Sequence, residues 1–123
     1  MSESIENVML GFLKNMFGGP QGYTTLEDEE FQEALKTTDR KMIIDVRSRH
    51  EFVDYKLSNA LNLDIMHPDF KDKISHYDKD KTYFVYCQSG KRSAKACKIM
   101  VSQGFEKVYN LKGGINNWTG RTV

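Results

Sequence analysis

Apolar and polar positions along the chain alternate in a way that separates short strand-like runs from helix-like stretches. Five apolar runs have the length and the aromatic or β-branched content of buried strands. They lie at residues 23–25, 41–46, 60–63, 82–86 and 107–111. Strands that alternate with helical segments predict right-handed crossovers. We therefore predict an α/β fold of three layers, with a five-stranded parallel sheet and helices on both of its faces.

Start and stop signals place the helices between these runs. Helical spacing predicts one helix through Phe31 and Leu35 and another over residues 92–103, which Gly104 closes. Ser48 and Glu51 have the spacing of a capping box, which predicts that a short helix begins after Ser48. We also predict a helix that has Pro68 in its first turn and ends near His76, and a short last turn around Trp118.

The first stretch of the chain has an amphipathic pattern of its own. Its apolar residues recur at helical spacing: Ile5, Val8, Met9, Phe12, Leu13 and Met16. Gly18-Gly19-Pro20 ends the pattern, and only Lys14 is basic within it. We expect residues 1–22 to form an N-terminal helical extension and residues 23–123 to form one domain. With so little basic charge, the extension is expected to pack on the domain or on a partner rather than on a membrane surface.

Composition limits the classes of partner. The 123 residues are 39% apolar and 28% charged, with a formal net charge of +1, which argues against nucleic-acid binding. No apolar run approaches the roughly 20 residues of a membrane span, and Glu3 and Glu6 stand where a secretory signal needs positive charge. Two cysteines without a pairing framework suggest a reducing compartment. A cytoplasmic location is the expectation.

One segment carries candidate chemistry. Residues 86–93 (YCQSGKRS) run from a buried strand directly into a helix, so Cys87 lies at the carboxyl edge of the predicted sheet, where ligands bind. Unpaired N–H groups and the helix dipole favour a thiolate there. Gly90 allows the loop to curl into an anion-binding nest, and Lys91 and Arg92 add positive charge. Cys87 alone could equally be a buried structural cysteine, a common role for a free thiol.

Two further motifs flank this segment. Asp45-Val46-Arg47 is followed by Glu51 and Phe52, and the end of the chain carries residues 110–115 (NLKGGI) with Trp118. Together the three motifs resemble the rhodanese family of thiosulfate sulfurtransferases, in its single-domain form, over roughly residues 23 to 120. Three motifs in the same order are more specific than any one of them.

The resemblance implies both a fold and an activity. The family's fold is a five-stranded parallel sheet covered by helices, and Cys87 would accept sulfane sulfur as a persulfide. A small anionic donor such as thiosulfate would be held by the loop, and a thiol or a protein would be the acceptor, with no cofactor. The substrate-binding residues implied in this way are Gln88, Ser89, Gly90, Lys91 and Arg92.

The same resemblance assigns supporting roles. Asp45 and Arg47 look like the family's framework pair, with Asp45 accepting loop N–H groups and Arg47 expected to pair with Glu51. Gly113-Gly114 is expected to serve backbone geometry. The chain departs from the family's G-H-[IL]-x-G-A stretch, because residues 55–60 read YKLSNA and lack both glycines and the histidine.

Two alternatives remain beside sulfur transfer from a small molecule. Cell-cycle phosphatases of the same fold use a Cys-x5-Arg loop, whereas Arg92 here gives Cys-x4-Arg and position six holds Ser93. The shorter loop favours a sulfur-sized group over a phosphate ester. The other alternative is a non-catalytic module that relays sulfur or binds a protein, against which the presence of Cys87 counts.

The remaining thiol and the histidines are expected to be structural. Cys97 falls in the apolar arc of its predicted helix and should lie in the core. His50, His67 and His76 have no ligand spacing with either cysteine, so no metal site is expected.

Overall fold

The structure is a computed structural model and describes residues 21–123. A parallel sheet lies at the centre of this part of the chain. The predicted amphipathic helix of the N-terminal extension lies outside those residues. The five strands are β1 (Thr24–Leu26), β2 (Lys41–Asp45), β3 (Ala60–Asn62), β4 (Thr82–Tyr86) and β5 (Val108–Leu111). They pair only in parallel, in the order β1-β5-β4-β2-β3, which confirms the predicted sheet.

Helices connect the strands. They are α1 (Asp28–Thr37), α2 (Arg49–Asp54), α3 (Phe70–Ser75) and α4 (Lys91–Ser102), followed after β5 by a 3-10 helix at Gly114–Asn117. The predicted capping box of α2 is present, because Ser48 Oγ accepts from the backbone N–H of Glu51, and Glu51 reaches back to the N–H of Ser48. Within residues 21–123, no helix is both long and apolar enough to cross a bilayer.

The start of α3 corrects one prediction. Pro68 does not lie in the first turn of this helix, which begins two residues later, at Phe70. The backbone N–H of Phe70 instead donates to the carbonyl of His67 and closes a turn with Pro68 at its second position. Proline suits that position because its φ is fixed near the value that the turn requires. The predicted bounds of the five strands and of the last α-helix differ from the observed ones by at most one residue.

Strand β4 lies in the middle of the sheet and is buried throughout. Its side chains alternate between two cores, as the two-residue period of a strand requires. Tyr83, Val85 and then Cys87 belong to the cluster beneath α3 and α4. Phe84 and Tyr86 belong to the cluster beneath α1 and the 3-10 helix. Because both faces are covered, the chain has the predicted three layers.

Parallel pairing brings the carboxyl ends of the strands to one edge. The loops after β2, β3, β4 and β5 therefore start side by side. The backbone N–H of Val46 donates to the carbonyl of Tyr86 at 3.0 Å, and that of Leu63 to the carbonyl of Asp45 at 2.9 Å. This edge is where a parallel sheet binds its ligands.

Candidate active site at the end of strand β4

Cys87 follows the last residue of β4, and its side chain is buried. Three residues later the chain turns at Gly90, whose φ of 100° lies in the left-handed region that favours glycine. Helix α4 begins at Lys91, one residue before the predicted start. The predicted arrangement, a thiol between a buried strand and a helix with a curled loop, is therefore present.

The loop folds back so that its donors point at the sulfur of Cys87. The backbone N–H of Gly90 lies 3.1 Å from Sγ, and that of Ser93 lies 3.3 Å from it. The Ser93 hydroxyl is a third neighbour, with Oγ 3.3 Å from Sγ. A sulfur surrounded in this way is set up to carry negative charge, because each donor stabilises an anion more than a neutral thiol.

These contacts decide the acidity of the thiol. Burial by itself raises the pKa of Cys87, because it removes water from the charged form. Hydrogen bonds from the side chain and backbone of Ser93 and from the backbones of Gly90 and Ser89 outweigh that effect. The pKa of Cys87 therefore lies below the ordinary value of a thiol, which favours a nucleophilic thiolate at neutral pH.

The loop after β5 supports the loop after β4 from behind. The backbone N–H of Ile115 donates to the carbonyl of Cys87 at 2.9 Å, and that of Asn116 donates to the carbonyl of Gln88 at 3.2 Å. The two chains approach so closely at Gly114 that a Cβ there would lie 2.5 Å from the carbonyl oxygens of both Cys87 and Gln88. Backbone geometry is thus the role of this glycine, as predicted.

Asp45 and Arg47 form a buried ion pair below the site, and here one predicted contact is wrong. Arg47 does not pair with Glu51; its guanidinium pairs with Asp45, with Nη2 2.7 Å from Oδ2 and both side chains fully buried. The same guanidinium donates to the carbonyl of Tyr55 at 2.6 Å. Asp45 also accepts the backbone N–H of Arg47 at 2.9 Å, as predicted for a loop-organising carboxylate. Because Arg47 is fully buried, its charge needs a partner in direct contact, and Asp45 provides it.

Tyr86 completes this buried network, which the sequence did not indicate. Its hydroxyl donates to Asp45 Oδ2 at 2.6 Å and accepts the backbone N–H of Leu57 at 3.1 Å. Burial and then the hydrogen bond to Asp45 raise the pKa of Tyr86, so the phenol stays protonated and remains a donor. The end of β4 is therefore fixed to the segment that precedes β3.

The side chain of Gln88, predicted to bind substrate, contacts other protein groups. Its Oε1 accepts from Arg47 Nη1 at 3.1 Å. Its Nε2 donates to Tyr55 Oη at 3.1 Å and to Asn116 Oδ1 at 2.6 Å. Gln88 thus fixes the first residue of the loop to the neighbouring loops. Its side chain is therefore engaged by protein groups and not directed at Sγ of Cys87.

Arg92 forms an ion pair that the sequence did not predict. Its guanidinium binds Glu51 with two hydrogen bonds, Nη1 to Oε1 at 2.8 Å and Nη2 to Oε2 at 3.0 Å. The hydrogen bond from Arg92 lowers the pKa of Glu51 to about 2, and hydrogen bonds from Ser48 add to the effect. The positive charge that Arg92 was predicted to add to the anion-binding nest is therefore paired with the carboxylate of Glu51. Lys91 is exposed and has no ion pair among the described residues.

The two departures from the family stretch have structural explanations. Asn59 has a φ of 68°, in the left-handed region that glycine adopts most easily and that asparagine tolerates better than most residues. Tyr55 brings its hydroxyl to Gln88. Lys56 places its ammonium 4.9 Å from the centroid of the Phe52 ring.

Cys97 lies in the core as predicted. It is fully buried on α4, and burial raises its pKa far above the ordinary thiol value. Both cysteines are free. Within residues 21–123, no group of three or more histidine, cysteine, aspartate or glutamate side chains is placed to hold a metal ion.

Comparison with known proteins identifies the family. The Rhodanese-like domain family matches residues 27–121. The chain belongs to the rhodanese-like domain family. A rhodanese-like domain with a solved structure, the rhodanese-related protein of Thermoplasma volcanium, superposes with a TM-score of 0.70 at 27% identity, covering 82% of this chain and 98% of that one.

Two curated relatives of this rhodanese-like chain differ in length. A protein of Allochromatium vinosum named sulfurtransferase is 33% identical over 93 residues, which cover 76% of this chain and 85% of the relative. A tRNA uridine(34) hydroxylase of Cytophaga hutchinsonii is 40% identical over 93 residues, covering 73% of this chain. The chain spans only 30% of that second relative, so the hydroxylase name describes a much longer protein.

Proposed function

We propose that this rhodanese-like chain is a sulfurtransferase that carries sulfane sulfur as a persulfide on Cys87. The observation that carries the proposal is the sulfur of Cys87 surrounded by the N–H groups of Gly90 and Ser93 and by the Ser93 hydroxyl. Family membership and the sulfurtransferase name of a relative of similar length support the same chemistry.

The reaction is a pair of displacements at sulfur. The thiolate of Cys87 attacks the outer sulfur of thiosulfate, an S–S bond forms, and the S–S bond of the donor breaks with its electron pair leaving on sulfite. An acceptor nucleophile then attacks the outer sulfur of the persulfide, and the electron pair returns to Cys87. No electrons are gained or lost overall, so the cycle needs no cofactor.

The loop contributes to both steps. Inward N–H groups stabilise the thiolate before transfer and the persulfide anion after it. Because the Cys87 side chain is buried, a donor reaches Sγ only when the loop opens enough to admit its outer sulfur. Lys91, exposed at the start of α4, supplies attraction for an anionic donor. Free thiols in this role also suit a reducing compartment, and we place the protein in the cytoplasm.

Loop length supports sulfur over phosphate. Gln88 to Lys91 are the four residues between Cys87 and Arg92, and the guanidinium of Arg92 is bound to Glu51 by two hydrogen bonds. A phosphate ester needs its non-bridging oxygens bound together, and this loop offers a tighter ring of donors suited to one sulfur atom. We therefore propose negligible hydrolysis of para-nitrophenyl phosphate.

Replacing each cysteine in turn tests the assignment of the nucleophile. Cys87→Ser should abolish thiosulfate:cyanide sulfurtransfer, because a hydroxyl at this position is not ionised and cannot carry sulfane sulfur. Cys97→Ser is the matched control and should keep most of the activity, since that thiol lies in the core. Steady-state rates and circular dichroism of both variants provide the measurement. An active Cys87→Ser protein, or a folded but inactive Cys97→Ser protein, would contradict the proposal.

A further inference from the structure

The side-chain amide of Gln88 has one orientation, which its partners impose. Its Oε1 faces Arg47 Nη1 at 3.1 Å, and a guanidinium can only donate, so the oxygen of the amide must lie on that side. The amide nitrogen therefore points the other way, where Asn116 Oδ1 accepts from it at 2.6 Å. The contact with Asn116 is the shortest hydrogen bond that this side chain makes. Gln88 is thus held between the buried Arg47 and the exposed Asn116.

Asn116 binds Gln88 at two points. It lies in the 3-10 helix Gly114–Asn117 after β5, and its backbone N–H donates to the carbonyl of Gln88 at 3.2 Å. Its side chain holds the amide of the same residue. One hydrogen bond would let Gln88 rotate about it, whereas two contacts at different atoms restrict both its position and its rotation. No role for Asn116 follows from the resemblance to the family, because it lies between the motif residues Ile115 and Trp118.

The rotation of Gln88 sets the direction of the next N–H group. The carbonyl of Gln88 and the N–H of Ser89 belong to one peptide group, which is planar and trans, so the two bonds point in opposite directions. Because the carbonyl points at Asn116, the N–H of Ser89 points away from the loop after β5. A hydrogen bond from the backbone of Ser89 to Cys87 agrees with this direction and lowers the pKa of the thiol. Asn116 therefore acts on a donor to the sulfur without contacting the sulfur itself.

We propose that Asn116 is a positioning residue: by holding the side chain of Gln88, it aims the N–H of the next residue at the sulfur of Cys87. Its effect on the thiolate is independent of the reaction that the protein catalyses. Its effect on the persulfide rests on the proposed function, since the same N–H would stabilise the persulfide anion.

The charged groups near the sulfur stay in place when Asn116 is replaced. Arg92 and Cys97, both on α4, interact electrostatically with Cys87. On the side of β2, the buried Asp45–Arg47 pair is matched within itself. Among the described residues, the hydrogen bonds of Asn116 go to none of these groups, and its own side chain is neutral. A change in the acidity of the thiol after substitution of Asn116 therefore reports a change in the geometry of the loop.

Removal of the side chain tests the proposal. In a Cys97→Ser background, Asn116→Ala should raise the pKa of Cys87. Alkylation by iodoacetamide should then slow about threefold at pH values below that pKa and recover above it. The effect is smaller than the loss of a donor, because the N–H of Ser89 remains and is only less well aligned. An unchanged pH profile of alkylation would overturn the proposal.

Asn117→Ala is the matched control. Asn117 is the next residue of the same 3-10 helix and is also exposed, but its side chain lies over Gly113 and makes no hydrogen bond to Gln88. Its alkylation profile should overlay that of the parent protein. An equal shift in both asparagine variants would show that any disturbance of this helix acts on the thiol, which would overturn the specific role of Asn116.

A double-mutant cycle tests whether Asn116 acts through Gln88. Gln88→Ala removes the side chain that Asn116 holds, so it should slow alkylation by at least the same factor. Adding Asn116→Ala to Gln88→Ala should then cause no further change, whereas residues that act independently would slow it about threefold more. Such a further slowing would overturn a role through Gln88.

Sulfur transfer is measured separately. With thiosulfate and cyanide, kcat/KM of Asn116→Ala should fall about threefold below the pKa of the thiol and approach that of wild type above it, which a general structural defect would not do. A shifted alkylation profile in a protein that gains no sulfur from thiosulfate would refute the proposed function and leave the positioning role in place. Normal sulfur transfer with an unshifted alkylation profile would refute the positioning role alone.

Discussion

Ser93 contributes two of the groups that surround the thiol of Cys87, its backbone N–H and its hydroxyl, each 3.3 Å from Sγ. The hydroxyl is the part that mutation can remove without disturbing the backbone. Because Ser93 is fully buried on α4, the hydroxyl has little access to water and is held beside the sulfur. It is therefore the side chain in the site with the most direct influence on the acidity of Cys87.

Ser93→Ala should raise the pKa of Cys87. A hydrogen bond to a charged group contributes on the order of 1.5 kcal/mol, so its loss disfavours the thiolate relative to the neutral thiol. The thiolate fraction then falls at pH values below the ordinary thiol pKa, so alkylation by iodoacetamide should slow about tenfold near neutral pH and recover at high pH. The measurement is the pH profile of alkylation in a Cys97→Ser background.

Ser89→Ala provides the control for this profile. The Ser89 side chain is exposed, and its influence on the thiol comes through the backbone, which alanine keeps. Its profile should overlay that of the parent protein. An unchanged profile in Ser93→Ala, or an equal shift in both variants, would show that the hydroxyl does not tune the thiol.

The sequence predicted the position of Cys87 at the end of a buried strand but not the contacts around its sulfur. Cys87 could be placed because a buried strand precedes it and a glycine-containing turn follows, and both are local signals. The contact from Ser93 depends on how far the loop curls, which residue spacing does not specify. The same holds for Asn59, whose positive φ is visible only in the backbone.

The loop after β5 supports the loop that carries Cys87, and Gly114 is its point of closest approach. Gly114→Ala should displace Cys87 and Gln88, because the added Cβ would lie 2.5 Å from their backbone oxygens and one side must shift. Sulfurtransfer should fall at least tenfold, since misplacing a reacting group by about 1 Å costs ~100-fold. Steady-state kinetics with thiosulfate and cyanide measure the effect.

Gly104→Ala is the matched control for the loop. Gly104 also has a left-handed φ, of 98°, but a Cβ there would meet only the flexible side chain of Lys79, at 3.6 Å. Both variants therefore lose about 1–2 kcal/mol of stability for the unfavourable backbone, while only Gly114→Ala should lose activity. Equal activities in the two variants would contradict the supporting role of the loop.

Helix α2 is tied to helix α4 by Glu51 and Arg92. The folded-state pKa of Glu51, about 2, is lower than its ordinary 4.5, so its ionised form stabilises the fold above pH 4.5 and that stability is lost as pH falls toward 2. Glu51→Gln should therefore lower the free energy of unfolding at pH 7 by on the order of 1–2 kcal/mol, after allowing for solvent screening.

The difference between Glu51→Gln and wild type should shrink on acidification from pH 5 to 2. Urea titrations at several pH values measure it. Glu29→Gln, an exposed position in the first turn of α1, should match wild type to within about 0.5 kcal/mol. A constant difference across this pH range would show that the Glu51 carboxylate does not act through its charge.

Helices and strands could be predicted where their signals are local in the sequence. The side-chain contacts between these elements could not. The capping box of α2 and the buried run of β4 follow from neighbouring residues, and the structure confirms both. The predicted pair of Arg47 and Glu51 used sequence proximity alone. In the fold, Glu51 instead meets Arg92, 41 residues away, because α2 and the loop after β4 converge on one edge.

At the scale of the whole molecule, the parallel sheet is what assembles the site. Its order places β4 between β5 and β2, so the loop that carries Cys87 has a supporting loop on one side and the buried Asp45–Arg47 pair on the other. Hydrogen bonds from both sides fix the backbone around Cys87. The chain thus holds one buried thiol, surrounded by hydrogen-bond donors, at the end of its central strand.

We propose that the thiol of Cys87 accepts a single sulfur atom from thiosulfate. Intact mass spectrometry of the protein incubated with thiosulfate tests it directly, with peptide mapping to locate the adduct. We expect a gain of one sulfur atom on Cys87, reversed by cyanide and absent in Cys87→Ser. A protein of unchanged mass after incubation, or an adduct on Cys97 instead, would contradict it.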